Sequence, residues 1–315
     1  MKRRLIVAAE IVAGALLLWF AASRLIAQWE QVRTQAADLD LHWWWILLSS
    51  IVVLATWTLL IETWRRVVEA WQNELAWMTA ARIWFVSNLW RYVPGKVWQI
   101  GAMGVMAQRA GVSPVAATGS ALLVNLVSLI AGFGVVVATG AGALLPRGSV
   151  VGVVAAVAAI AATPWLLPRV ARLASRVTGR TIALPVLPAS AIWIAVVGST
   201  LAWFTYGIAF RALAAGVLPG AAGGVATADG HLLQWIAVYC FSYLVGYLFL
   251  PAPGGLVARE VALVAAMTQL NLATEAQATI LAIVSRLWLT VLEVAPGTLI
   301  LLGGALRPAP SDRSR

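Results

Sequence analysis

Apolar residues in this chain come in long, nearly unbroken runs. They cover residues 5–22, 43–61, 115–145, 150–167, 189–213 and 276–305. A helix needs about 20 apolar residues to cross the hydrocarbon of a bilayer, so these runs predict six spans. The alternating pattern of a membrane barrel strand is absent from the sequence. The expected fold class is therefore all-α: a polytopic integral membrane protein. The first run follows Lys2, Arg3 and Arg4, and no clean small-residue cleavage site precedes a soluble domain, so it reads as a retained helix.

The polar stretches between the runs are short. Residues 62–78 set Arg65, Arg66, Glu69 and Glu74 among tryptophans, the pattern of an amphipathic helix lying on the inner surface. His42 precedes three tryptophans and reads as part of an aromatic belt at an interface. Ser113 is placed to cap a helix whose first residue is Pro114. Residues 214–230 are rich in Gly and Ala and read as a flexible loop, and 306–315 as a disordered cytoplasmic tail.

Two stretches break the apolar pattern. They are NLWRYVPGKVWQIG, 88–101, and YLFLPAPGGLVARE, 247–260. Proline lacks the backbone N–H that a helix interior needs, and glycine lets the chain turn sharply. The breaks at Pro94 and Gly95, and at Pro251, Pro253, Gly254 and Gly255, predict two re-entrant helical hairpins over 79–109 and 231–270. Non-helical backbone at membrane depth survives only inside protein or along a polar cavity. Charges stand at both breaks: Arg91 and Lys96 at the first, Arg259 and Glu260 at the second.

Composition agrees with a membrane protein: 62% of the 315 residues are hydrophobic and 11% charged, with a net charge of +10. Soluble domains are about 25% charged. Threading the breaks as hairpins leaves most of the 22 Lys and Arg on one side, which the positive-inside rule makes cytoplasmic, together with both termini. The expected location is the inner (cytoplasmic) membrane. Residues 1–305 then form one membrane domain whose halves, 1–148 and 149–305, each run span, span, hairpin, span. Three crossings per half invert the second relative to the first, as in many transporters. ATGSALLVNLV at 117–127 is echoed by ATILAIVSRLW at 278–288, which sets Asn125 opposite Arg286.

Arg91, Lys96, Arg259 and Arg286 place four cations at or near bilayer depth against two acids, Glu260 and Glu293. A charge there costs about 2.5–3.5 kcal/mol even on the lenient insertion scale. An anion would offset the surplus, and the planar guanidinium fork suits a phosphate. These four cations with Glu260 are the candidate binding residues, and Asn88, Gln99 and Asn125 the polar liners. The bland alternative makes Arg259–Glu260 and Arg286–Glu293 structural pairs, although Glu293 lies two turns beyond Arg286 on one helix. Tyr239, Tyr243 and Tyr247 share a helix face, a stripe read as packing before substrate contact. Cys240 is a core residue, and His42 and His231 have no catalytic partner in sequence. No catalytic or metal site is therefore expected. No nucleotide-cradling motif occurs, no cofactor is expected, and nucleic acid is not among the expected partners.

NLWRYVPGKVWQIGAMGVMAQRAGVSPVAA, followed later by PAPGGLVAREVALV, resembles the transmembrane region of lysylphosphatidylglycerol synthases and its stand-alone relatives. That family carries Asn-x-x-Arg-x-x-Pro-Gly before Pro-Gly-Gly-x-x-x-Arg-Glu. Here these are Asn88, Arg91, Pro94 and Gly95, then Pro253, Gly254, Gly255, Arg259 and Glu260. Lys96 stands where the family often has a second glycine. The resemblance implies a lipid flippase working on an anionic phospholipid or a polyprenyl-phosphate-linked lipid. The soluble synthase activity is not part of that expectation. The rival readings are a scaffold or regulatory subunit of an envelope-synthesis enzyme, and a membrane-embedded lipid transferase. Expected partners are anionic lipid headgroups, and a second copy of the chain or such an enzyme.

Overall fold

The computed structural model describes residues 41–92, 97–139, 188–218, 231–249 and 257–305, with a few single positions between 144 and 169. The described residues form helices and turns and no strand. In chain order the helices are α1 (Trp43–Ala70), α2 (Trp77–Leu89), a 3-10 turn (Trp90–Tyr92), α3 (Val97–Arg109), α4 (Pro114–Ala138), α5 (Ala189–Val217), α6 (Leu232–Leu248), α7 (Ala258–Gln269) and α8 (Glu275–Ala305). Four of them, α1, α4, α5 and α8, are long and apolar enough to cross a membrane. They coincide with four of the six expected spans. The other two, 5–22 and 150–167, fall outside the described residues or on single positions among them.

The outer faces of these helices are apolar. Leu47, Ile51 and Leu54 recur along one side of α1 and are exposed, as are Leu122 and Leu126 on α4 and Val197, Leu201 and Ile208 on α5. Contiguous apolar surface of that extent seeks a nonpolar medium. It fits a helical membrane protein whose lipid-facing side carries leucine and valine.

Two sequence expectations are corrected. Residues 62–70 are not a separate surface helix but the last turns of α1. Glu62 bonds Arg65 and Arg66 at helical spacing, and Arg65 also reaches Glu69. The charges neutralise one another along one helix, so the chain has no reason to bend there. Residues 214–217 belong to α5 and are buried, so the Gly/Ala composition marks close packing rather than a loop at that point. The cap at Ser113 is as expected: its hydroxyl accepts from the Ala116 N–H, with Pro114 opening α4. The turn before it is a Schellman motif at the end of α3. Val112 N–H reaches the Ala107 carbonyl and Gly111 N–H the Gln108 carbonyl. This requires the left-handed φ of +95° at Gly111.

The pairing of elements repeats along the chain. α2 lies against α3, and α6 against α7. α3 lies against α4, and α7 against α8. Across the two sets, α4 lies against α6 and α8 against α2. The most extensive contact joins α1 to α5. Their partners run in opposite order: Ile46 meets Gly216, Ser49 bonds Ala209, Thr56 bonds Thr205, and Thr63 meets Gly198. The two helices are therefore antiparallel. Small residues set how closely helices approach when lipid surrounds them. Gly207 on α5 is one such point, since a Cβ there would lie 2.5 Å from the Ile236 Cα on α6. Backbone cannot yield as a side chain can, so Gly207→Ala should lower stability by about 1–3 kcal/mol. A fall in melting temperature of the detergent-solubilised protein measures it.

Candidate functional site

The 3-10 turn that ends the first arm carries Arg91. Its Nη1 donates to Glu293 Oε1 on α8. Two helical turns earlier on α8, Arg286 Nη1 stands 3.6 Å from Oε1 of Glu260, in the first turn of α7. The ion pairs are therefore crossed relative to the bland sequence reading. Each carboxylate pairs with an arginine from another element, and α8 is held to both broken stretches at once. Arg286 and Glu293 do not pair with each other, as their separation on one helix implied.

Arg259 differs from these two. It is 4% exposed. No carboxylate among the described residues pairs with it, and its Nε and Nη2 are buried without a hydrogen-bond partner. Its guanidinium carbon lies 5.8 Å from the ring centres of both Tyr239 and Tyr243. Ring faces attract a cation without neutralising it. Tyr239 and Tyr243 are one turn apart on α6, so the tyrosine stripe that reads as packing also seats this arginine. Tyr239 is held in turn by Tyr206 and Phe210. Close approach is set by Gly246, where a Cβ would lie 2.7 Å from that of Arg259. Just before α7, Val257 holds φ +70° and ψ −51°. This is a strained conformation for a β-branched residue.

Arg91, Gln99, Arg259 and Arg286 line one pocket with Tyr243, Tyr247, Thr290 and Glu293. Four of the eight expected binding residues, on four elements, thus line one hollow. Glu260 stands behind Arg286, and its carboxylate oxygens have no hydrogen-bond partner among the described residues. Asn88 and Asn125 line an adjoining space. Gln99 Nε2 donates to Asn88 Oδ1 at 2.6 Å, tying α3 to α2 on either side of the first break. Asn125 Nδ2 donates to the Ala121 carbonyl, 2.8 Å away on its own helix. Lys96, Pro94, Gly95, Pro251, Pro253, Gly254 and Gly255 lie outside the described residues.

Among the described residues, Arg91 pairs with Glu293 and Arg286 with Glu260, while Arg259 has no carboxylate partner. Low surrounding dielectric raises the value of a matching anion. Two residues that bear on the site escaped the sequence reading in their roles: Glu293 as the partner of Arg91, and Tyr243 as part of the seat of Arg259. Among the described residues no three His, Cys, Asp or Glu side chains gather as metal ligands would. Cys240 is buried in the core. The chain matches no known family model and no curated protein.

Proposed function

We propose that this chain moves an anionic lipid, a phospholipid or a polyprenyl phosphate, between the leaflets of a membrane. The headgroup phosphate rests on Arg259, with Arg91 and Arg286 beside it, while the hydrocarbon tails stay in the bilayer. The observation that carries this reading is a buried arginine that pairs with no carboxylate among the described residues, lining a pocket beside two others that each pair with one. Arginine at bilayer depth needs a counter-charge, and a phosphate diester offers two oxygens to its fork of donors.

The proposed architecture is six spans and two re-entrant hairpins in inverted halves. The repeated element pairing supports it, and so does the antiparallel crossing of α1 and α5. At that crossing Thr56 bonds Thr205 and Trp57 bonds Tyr206. A shift of one constant number of residues carries each first-half member onto its partner, which is how residues near a two-fold axis between inverted halves would meet. The resemblance to the membrane region of lysylphosphatidylglycerol synthases points the same way.

The test is transport. Purified protein in liposomes should move a fluorescent phosphatidylglycerol to the outer leaflet, read by quenching with an impermeant reductant, at least tenfold faster than empty liposomes. Fluorescent phosphatidylcholine should move more slowly. A rate equal to empty liposomes, with and without a proton gradient, would overturn the proposal. The two ion pairs that clasp α8 favour a second reading, a rigid scaffold in an envelope lipid pathway. That outcome would support it.

A further inference from the structure

The arginine pocket continues into a second chamber of different character. Arg91, Gln99, Tyr243 and Tyr247 line both. The second chamber is lined from helices α1 to α6 and from the 3-10 turn. Trp57, Trp84, Trp203 and Tyr206 form much of its wall, and three amides, Asn88, Gln99 and Asn125, stand among them. No carboxylate is among its described lining residues.

Its hydrogen-bonding groups come in both senses. The bond between Gln99 and Asn88 uses one donor and one acceptor, which leaves an N–H on Asn88 and lone pairs on the Gln99 carbonyl oxygen. Asn125 uses a donor on its own helix and keeps its oxygen. Trp84 Nε1 is buried with no hydrogen-bond partner among the described residues. Aromatic rings accept the C–H faces of a ring, while amides and an indole N–H match hydroxyls, which both donate and accept. A quaternary ammonium would be drawn to the ring faces, but it would leave the amides unmatched and sit beside Arg91 in a site already positive. A plain alkyl ester would leave the amides and the indole unmatched too.

We propose that this chamber receives a neutral ring polyol, a hexose or a cyclitol, joined through the phosphate that rests on Arg259. The inference depends on the anion site proposed above. A site built to bond hydroxyls discriminates strongly against ligands that lack them, because its own polar groups are then left unpaired.

The experiment is equilibrium binding to the purified full chain in detergent, with short-chain lipids of matched tails. Dioctanoyl phosphatidylinositol and dioctanoyl phosphatidylglucose present a cyclitol and a hexose. Dioctanoyl phosphatidylmethanol presents the same single negative charge without a ring, and dioctanoyl phosphatidylcholine an ammonium. At least one ring lipid should bind tenfold or more tighter than phosphatidylmethanol, and which one does so identifies the ring. In Trp84→Phe and in Asn125→Leu the ratio of ring-lipid to phosphatidylmethanol affinity should fall several-fold. Equal binding of ring lipids and phosphatidylmethanol would overturn the chamber's assignment and leave the anion site standing. Tightest binding by phosphatidylcholine would overturn it in favour of an ammonium. A ring preference that survives in both variants would place the ring elsewhere. Failure of every anionic lipid to bind would remove the anion site and this inference together.

Discussion

Arg259→Ala should slow lipid transport by one to two orders of magnitude while leaving the fold intact. A charge-assisted hydrogen bond contributes about 1.5–3 kcal/mol, and each 1.4 kcal/mol is roughly a factor of ten. Losing the pocket guanidinium that pairs with no carboxylate among the described residues should therefore slow the reconstituted rate by about ten- to a hundredfold. Stability follows a different logic. Removing the cation relieves a desolvation cost of about 2.5–3.5 kcal/mol, while its two tyrosine contacts return about 1 kcal/mol each. The difference of about 0.5–1.5 kcal/mol is offset by the cavity that the buried side chain leaves, so the melting temperature should stay close to that of the unaltered protein. Arg259→Lys keeps the charge without the fork and should recover only part of the rate. A large drop in melting temperature, with the rate per folded molecule unchanged, would make Arg259 a structural residue.

Arg91→Ala and Glu293→Ala should do the opposite and unsettle the fold first. Each leaves a partly buried charge without the ion-pair partner it has here. Breaking such a pair from one side costs about 3–5 kcal/mol, and the cavity beside this one argues for the lower end. The double variant Arg91→Met with Glu293→Met removes both charges and fills both volumes, so it should regain most of the lost stability. Thermal melting of the three purified variants gives the result. Equal melting of single and double variants would mean that the two side chains are not coupled. The refolded double variant also bears on transport. If Arg91 only clasps α8, the rate returns with the stability; if it also holds the headgroup, the rate stays low.

Much of the fold is legible in the sequence because membrane insertion sets run lengths. The apolar runs containing Trp57, Val124, Ala202 and Leu281 appear as helices where expected. Misreadings arise where local charge mimics a boundary. Glu62, Arg65 and Arg66 look like an interface, yet they satisfy one another on a single continuous helix. The candidate residues are legible because prolines and arginines are rare in apolar runs and easily noticed. Their partners are not. Glu293 lies 202 positions from Arg91, and no local pattern joins them; only the folding of α8 against the first arm does. The role of Tyr243 is hidden for a related reason. A four-residue tyrosine spacing shows which side of a helix they share, not that a guanidinium from the next helix lies over it.

The contact between Gly246 and Arg259 bears on how this protein can change through descent. With the two backbones this close, a mutation adding even a methyl group at 246 would displace the arginine from its tyrosine seat. Lineages that keep the cation are then bound to keep the glycine, and those that lose the cation are released to vary there. The two positions should drift together, so that a side chain at 246 in a distant cousin would signal that its cargo had changed.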